Sequence, residues 1–260
     1  MDKEKVLKEV QSNIRSGNIP LASEQIAELA NCSSGDPFTL LTCASLLKVI
    51  GDEKGAGRIA GTIPDLVRDR NGLEAAKGLR GIGFHTEAEK ILSGMGESDE
   101  VLRERMRTLY DMRKYEGSYS LYEKMIQPTF ADSVVRIDSI SANREHDRAA
   151  GLAKDLLKEA PDDLSVQRCY CAALSAAGRS KEAERFVKDN LKKSRSSSDA
   201  NALASYYLWI EGKTKSAGAY ATKAVKGDPG NTMAMEILAY CLIENGRPQE
   251  AKIVAGAINE

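Results

Sequence analysis

Few residues in this 260-residue chain are spaced for covalent chemistry. The nearest candidates are two glycine-containing strings. Residues 55–61, GAGRIAG, have the glycine spacing of a dinucleotide loop, which must follow a strand and open a helix so that free N–H groups meet the pyrophosphate. Here the string lies within a stretch of helical apolar period. Residues 212–214, GKT, resemble the end of a phosphate-binding loop, but the earlier glycine such a loop requires is Tyr207. Neither HExxH nor GxSxG occurs. The five cysteines, Cys32, Cys43, Cys169, Cys171 and Cys241, form no compact framework, and Cys169 and Cys171 point about 200° apart on a helix. They read as small core side chains. His85 and His146, the only histidines, each follow a turn and read as solvated. The expectation is a non-enzymatic protein with no cofactor and no metal.

What could position recognition groups instead is a ladder of small residues: Ala22, Ala56, Ala88, Ser118, Ala149, Ala183, Ala217 and Ala251. The spacings are 34, 32, 30, 31, 34, 34 and 34 residues, the period of one packed pair of short helices. Gly178, Gly212 and Gly246 precede the last three rungs by five positions and suit a turn that ends one helix and admits the next. Nine residues before the rungs stand Leu47, Leu79, Leu109, Ile140, Leu174, Leu208 and Leu242. A large aliphatic side chain in one helix therefore faces a small one in the next. Pro161 and Pro229 stop the second helix between units. The pattern weakens in places. Arg113 and Arg144 replace the turn glycine, Met106 and Ile137 occupy positions expected to be small, and Val10 with Ile14 suggests a one-residue shift in the first repeat, leaving Asn13 at the aliphatic position.

The segment EGKTKSAGAYATKAVKGDPGN resembles the tetratricopeptide repeat, with Ser205, Gly212, Ala217, Ala224 and Pro229 on that pattern. The resemblance is clearest over residues 162–260 and implies an all-α, right-handed solenoid of about eight antiparallel helix-turn-helix repeats. Repeats one to four would span residues 1–127 and repeats five to eight residues 128–260, as one continuous solenoid. The sequence leaves open whether the array has a hinge; the place for one is Pro128 and the degenerate residues 111–145. In this family the first helix of each unit lines the inner groove. Counting back from the turns, the resemblance places Lys48, Arg70, Lys77, Arg80, Arg103 and Arg107 on that face, with Phe38, Glu74, Glu100 and Glu104. Near the C-terminal end it places Tyr206, Trp209, Met233 and Tyr240 there, with Leu203, Ile210, Ile237 and Ile243. A partner protein or peptide carrying acidic and apolar groups would fit, so the implied role is that of an adaptor or scaffold. The competing readings are inter-repeat packing for Trp209 and intrahelical pairs such as Glu100 with Arg103 for the basic cluster.

Composition narrows the class. Hydrophobic residues make up 42% of the chain and aromatic residues 5%, so the core must be built from Ala, Leu, Ile and Val. A formal net charge of −1 gives no general argument for nucleic acid, although the local arginines keep a single-stranded RNA binder as an alternative beside an accessory subunit of an enzyme complex. No apolar run approaches the roughly 20 residues of a membrane span. The amphipathic N-terminus is unlike a signal sequence, and a cytoplasmic protein is expected. The final segment AKIVAGAINE places Ile253, Val254 and Ile258 where no further helix covers them, an expectation of a homodimer or hetero-complex through the last repeat.

Overall fold

The computed structural model describes residues 2–67, 71–194 and 197–258. Among them are sixteen α-helices and no strand, in two compact units, Met1–Gln127 and Pro128–Glu260. The first unit holds four hairpins: α1 (Lys3–Arg15) with α2 (Ile19–Cys32), α3 (Pro37–Val49) with α4 (Glu53–Leu66), α5 (Asn71–Gly81) with α6 (His85–Ser93), and α7 (Asp99–Asp111) with α8 (Tyr115–Tyr122). The second holds α9 (Phe130–Ala142) with α10 (His146–Glu159), α11 (Leu164–Ala176) with α12 (Ser180–Lys193), α13 (Ser198–Ile210) with α14 (Thr214–Gly227), and α15 (Thr232–Glu244) with α16 (Pro248–Ala257). The first helix of each hairpin is its A helix and the second its B helix. The architecture is all-α and solenoidal, with the core spread along the hairpins.

One turn recurs at every hairpin. Five residues before each rung the backbone is left-handed: Gly17, Gly51, Gly83, Arg113, Arg144, Gly178, Gly212 and Gly246 all have positive φ. The next residue donates its N–H to the carbonyl five positions back, as in Lys213 to Leu208, over 2.8–3.1 Å. This Schellman geometry satisfies the A helix's last carbonyls and starts the B helix at once. Most A helices instead begin with a side-chain cap, such as Asp163 accepting from Val166 N or the Thr129–Asp132 capping box. The expected one-residue shift in the first repeat does not occur. Asn18 N reaches Asn13 O in the common register, and the Asn13 amide donates to Gln25 Oε1 at 2.9 Å where other repeats use an apolar contact.

Seven rungs are fully buried and Ala251 is 3% exposed. The exceptional rung, Ser118, donates its hydroxyl to Met106 O at 2.8 Å, so the polar atom costs little. In the second unit the A helices α9, α11, α13 and α15 pack successively on one another, with no comparable packing among its B helices. That unit is therefore closed on its A side and splayed on its B side.

Arg113 and Arg144 are exposed and hold φ of 59° and 69°, so they bear the left-handed strain that glycine avoids without a packing role to offset it. Replacing either with glycine is expected to stabilise the protein by about 0.5–1 kcal/mol, after the added unfolded-chain entropy of glycine is discounted. Gly178→Ala should destabilise by about 1 kcal/mol. Urea unfolding midpoints test both; unchanged or lower midpoints for the two arginine variants would contradict the strain.

Candidate functional site

The glycine strings hold no phosphate loop. Residues 55–61 lie inside α4, whose N-terminal N–H at Gly55 is already taken by the Asp52 carboxylate at 2.8 Å. A Cβ at Gly55 would come within 2.2 Å of that carboxylate, which explains the glycine. Gly212 is the left-handed residue of the α13–α14 turn.

In the first unit most of the sequence-predicted cations are engaged by the scaffold. Lys48 donates to Ile82 O at 2.7 Å, capping the end of α5, and lies 5.3 Å from the Phe84 ring centroid. Lys77 pairs with Glu74 at 2.7 Å. Arg80 reaches across to α7, with Nε 2.5 Å from Glu104 Oε1 and Nη1 3.2 Å from Asp111 Oδ2. Burial alone lowers the Arg80 pKa, but these two carboxylates outweigh it and raise it. Glu104 is 3% exposed and thus belongs to the packing between α5 and α7 rather than to an open groove. Arg103, Arg107, Lys77 and Glu100 line a cleft of about 340 Å³ between the same two helices. Arg107 is half-buried and makes no ion pair among the described residues. Arg70 lies outside the described residues.

The second unit gathers its aromatic residues into a track. Trp209 stacks on Tyr240 across α13 and α15, with centroids 5.5 Å apart and an interplanar angle of 16°. Tyr206 lies 6.3 Å from Trp209, and Met233 packs beside both over Ala217, Ala221 and Ile237. Trp209 has a packing role: the indole covers that cluster on one side and meets Tyr240 on the other. Tyr240 is 53% exposed and Ile243 56%. Leu203 and Ile237 are buried and drop out of the predicted groove, because their positions nine before the turn face neighbouring helices.

Sequence reasoning missed the ion pair at the head of this track. Arg168 on α11 donates to Asp138 on α9 at 2.6 Å, and its guanidinium carbon lies 5.7 Å from the Tyr206 ring centroid. Burial works against the charged guanidinium, yet Asp138 and the neighbouring Tyr206 hold its pKa above the ordinary arginine value. The Tyr206 phenol is raised by burial, partly countered by Arg168. The available signal was spacing: Asp138 and Arg168 stand one repeat apart.

The arrangement of repeated helical hairpins is similar to that of a solved structure. A tetratricopeptide repeat protein from Parabacteroides merdae matches over 92% of this chain and 98% of its own, with a TM-score of 0.52 and 12% identity. The chain has the tetratricopeptide-repeat fold. A thermophilic TPR protein of Thermus thermophilus matches 68% of the chain and 100% of its own length, with a TM-score of 0.49 and 15% identity. No family model matches the sequence, and no curated protein matches it.

On this tetratricopeptide-repeat scaffold four of the five thiols are core groups, and Cys32, expected in the core, is not. Cys43, Cys169, Cys171 and Cys241 are buried and Cys32 is exposed. Burial pushes Cys43 up to about 11 and Cys171 up to about 12, and it raises Cys169 and Cys241 as well. Among the described residues no group of three or more His, Cys, Asp or Glu side chains is placed to hold a metal ion, and no helix is long and apolar enough to cross a membrane.

Two predictions come from these placements. An aromatic disulfide reagent at neutral pH should titrate Cys32 rapidly and the four buried thiols only as the chain unfolds. Rapid reaction of more than one thiol in the native protein would contradict their burial. Arg80→Met leaves the buried Glu104 without its cation and should lower stability by about 2–3 kcal/mol, discounted from a fully buried pair because Arg80 is 27% exposed. A urea midpoint equal to that of the parent would show that the pair is dispensable.

Proposed function

We propose that the protein is a non-enzymatic interaction scaffold whose A-helix faces hold segments of partner proteins. The face of the first unit around Arg103 and Arg107, flanked by Lys77, takes acidic groups, and the Tyr206–Trp209–Tyr240 track of the second unit takes apolar groups. Lys48 and Arg80 shape the first face from within the scaffold. The observation that carries this reading is the exposed side of the Trp209 stack. Tyr240 and Ile243 lie one helical turn apart on α15 and are each more than half exposed, so they present an apolar strip that hairpin packing does not cover. Tyr, Trp and Arg side chains of this kind commonly carry interface energy. The unpaired cysteines suit a protein working in the reducing cytoplasm.

The test is affinity capture with the full chain, identified by mass spectrometry. Arg103→Glu with Arg107→Glu, and separately Tyr240→Ala, should each reduce capture of the principal partner at least about tenfold, or about 1.4 kcal/mol. Melting temperatures close to the parent's would show that the fold is intact. Tyr240 is preferred to Trp209 because the indole also packs on the core. Retention of the partner by both variants refutes the reading.

A further inference from the structure

Charge is sorted by helix type, and the sorting reverses between the two units. In the first unit the A helices carry ten basic and seven acidic residues and the B helices three and seven. In the second the A helices carry two basic and five acidic residues, while the B helices carry twelve and seven. Of the two cations on the second unit's A helices, Arg168 is held by Asp138 and covered by Tyr206, and Arg136 has a partner of its own.

Acidic groups therefore dominate the polar surface beside the aromatic track. A cleft of about 390 Å³ opens there, lined by Arg168, Asp199, Asp228, Asn231, Met233 and Glu236. Asp199 accepts from the Asn231 amide at 3.0 Å and Asp228 from Gly230 N at 2.9 Å, both neutral donors that leave the carboxylate charge in place. Glu236 is exposed and makes no ion pair among the described residues. Met233 joins the cleft to the track, since it lines the one and packs in the other.

We infer that the A face of the second unit takes a basic, apolar segment of a partner protein, with a lysine or arginine at the Glu236–Asp199–Asp228 cleft and a large apolar side chain on Tyr240 and Ile243. This rests on the scaffold reading and assigns the second unit a partner chemistry opposite in charge to that of the first. Glu236 and Ile243 lie seven residues apart on α15, or about 10 Å along its axis. A cation and an anchor three residues apart in an extended segment, or seven apart in a helical one, match that distance. The B side of the same unit, with its excess of lysine, repels such a segment and so favours one face.

Trp209 is the chain's single tryptophan and reports on this surface directly. Three short peptides without tryptophan test the inference on the full chain: each carries leucine, with lysine three residues away in the first, glutamine at those positions in the second and glutamate in the third. Binding is followed by Trp209 emission and by anisotropy of a dye on the peptide. The lysine peptide should bind tightest, with the glutamine peptide weaker by about fivefold and the glutamate peptide weaker still. Glu236→Lys should weaken the lysine peptide and strengthen the glutamate peptide, while Tyr240→Ala should weaken all three. If the glutamine or glutamate peptide binds as tightly as the lysine peptide, or Glu236→Lys leaves the order unchanged, the charge inference is wrong and the scaffold reading stands. If none of the three binds, the second unit's part in the scaffold reading fails with it.

Discussion

The array depends on one hydrogen bond repeated eight times, from the residue after a left-handed turn residue to a carbonyl five positions back. That bond ends the A helix where the B helix must begin, so the two leave the turn antiparallel and close. The rung five residues beyond the turn residue is then driven against the A helix, and only a side chain as small as alanine or serine fits. Large aliphatic residues supply the accepting carbonyl in seven of the repeats, so one position both closes the turn and fills the core. The core becomes a chain of local contacts, and each hairpin needs only its neighbours.

Because so few positions per hairpin are constrained, the remainder are free to diverge, and a 12% identical protein shares the fold. The same economy tolerates Arg113 and Arg144 at left-handed turns. Each bears a local strain of about 1–2 kcal/mol against a network that fixes the turn from both sides. In the first repeat the Asn13–Gln25 bond replaces an apolar contact without moving the register. Degeneracy here is a change of side-chain chemistry at a fixed backbone geometry.

That distinction sets what was legible in the sequence. The rungs, the turn residues and the large–small pairing are one-dimensional regularities, so the hairpins could be counted from spacing alone. Irregular residues misled wherever chemistry was mistaken for geometry, as with Asn13. The candidate faces came from the resemblance, whose groove register holds Tyr206, Trp209 and Tyr240, and the structure adds that Trp209 stacks on Tyr240. Burial on those faces was not legible, since Glu104, Leu203 and Ile237 sit at the edge of the face, where the neighbouring helix decides exposure. Ion pairing was hidden for a related reason. Arg80 with Glu104 and Arg168 with Asp138 join corresponding helices of successive repeats, whereas inspection of single helices suggests only pairs three or four residues apart.

These cross-repeat pairs also explain why the total charge is a poor guide to partners. A formal net charge of −1 conceals A and B faces of +3 and −4 in the first unit and −3 and +5 in the second. Within a unit, A and B faces are separated by two helix layers, about 20 Å, which exceeds the Debye length of about 8 Å at physiological ionic strength. Each face therefore acts with its own sign on a molecule approaching it. Pairing then edits the face further: when Asp138 holds Arg168 and Tyr206 covers the guanidinium, the surface beside Trp209 loses the charge of Arg168 and keeps the carboxylates of Asp199, Asp228 and Glu236. The sign presented to a partner is thus decided by which charges the packing has already used.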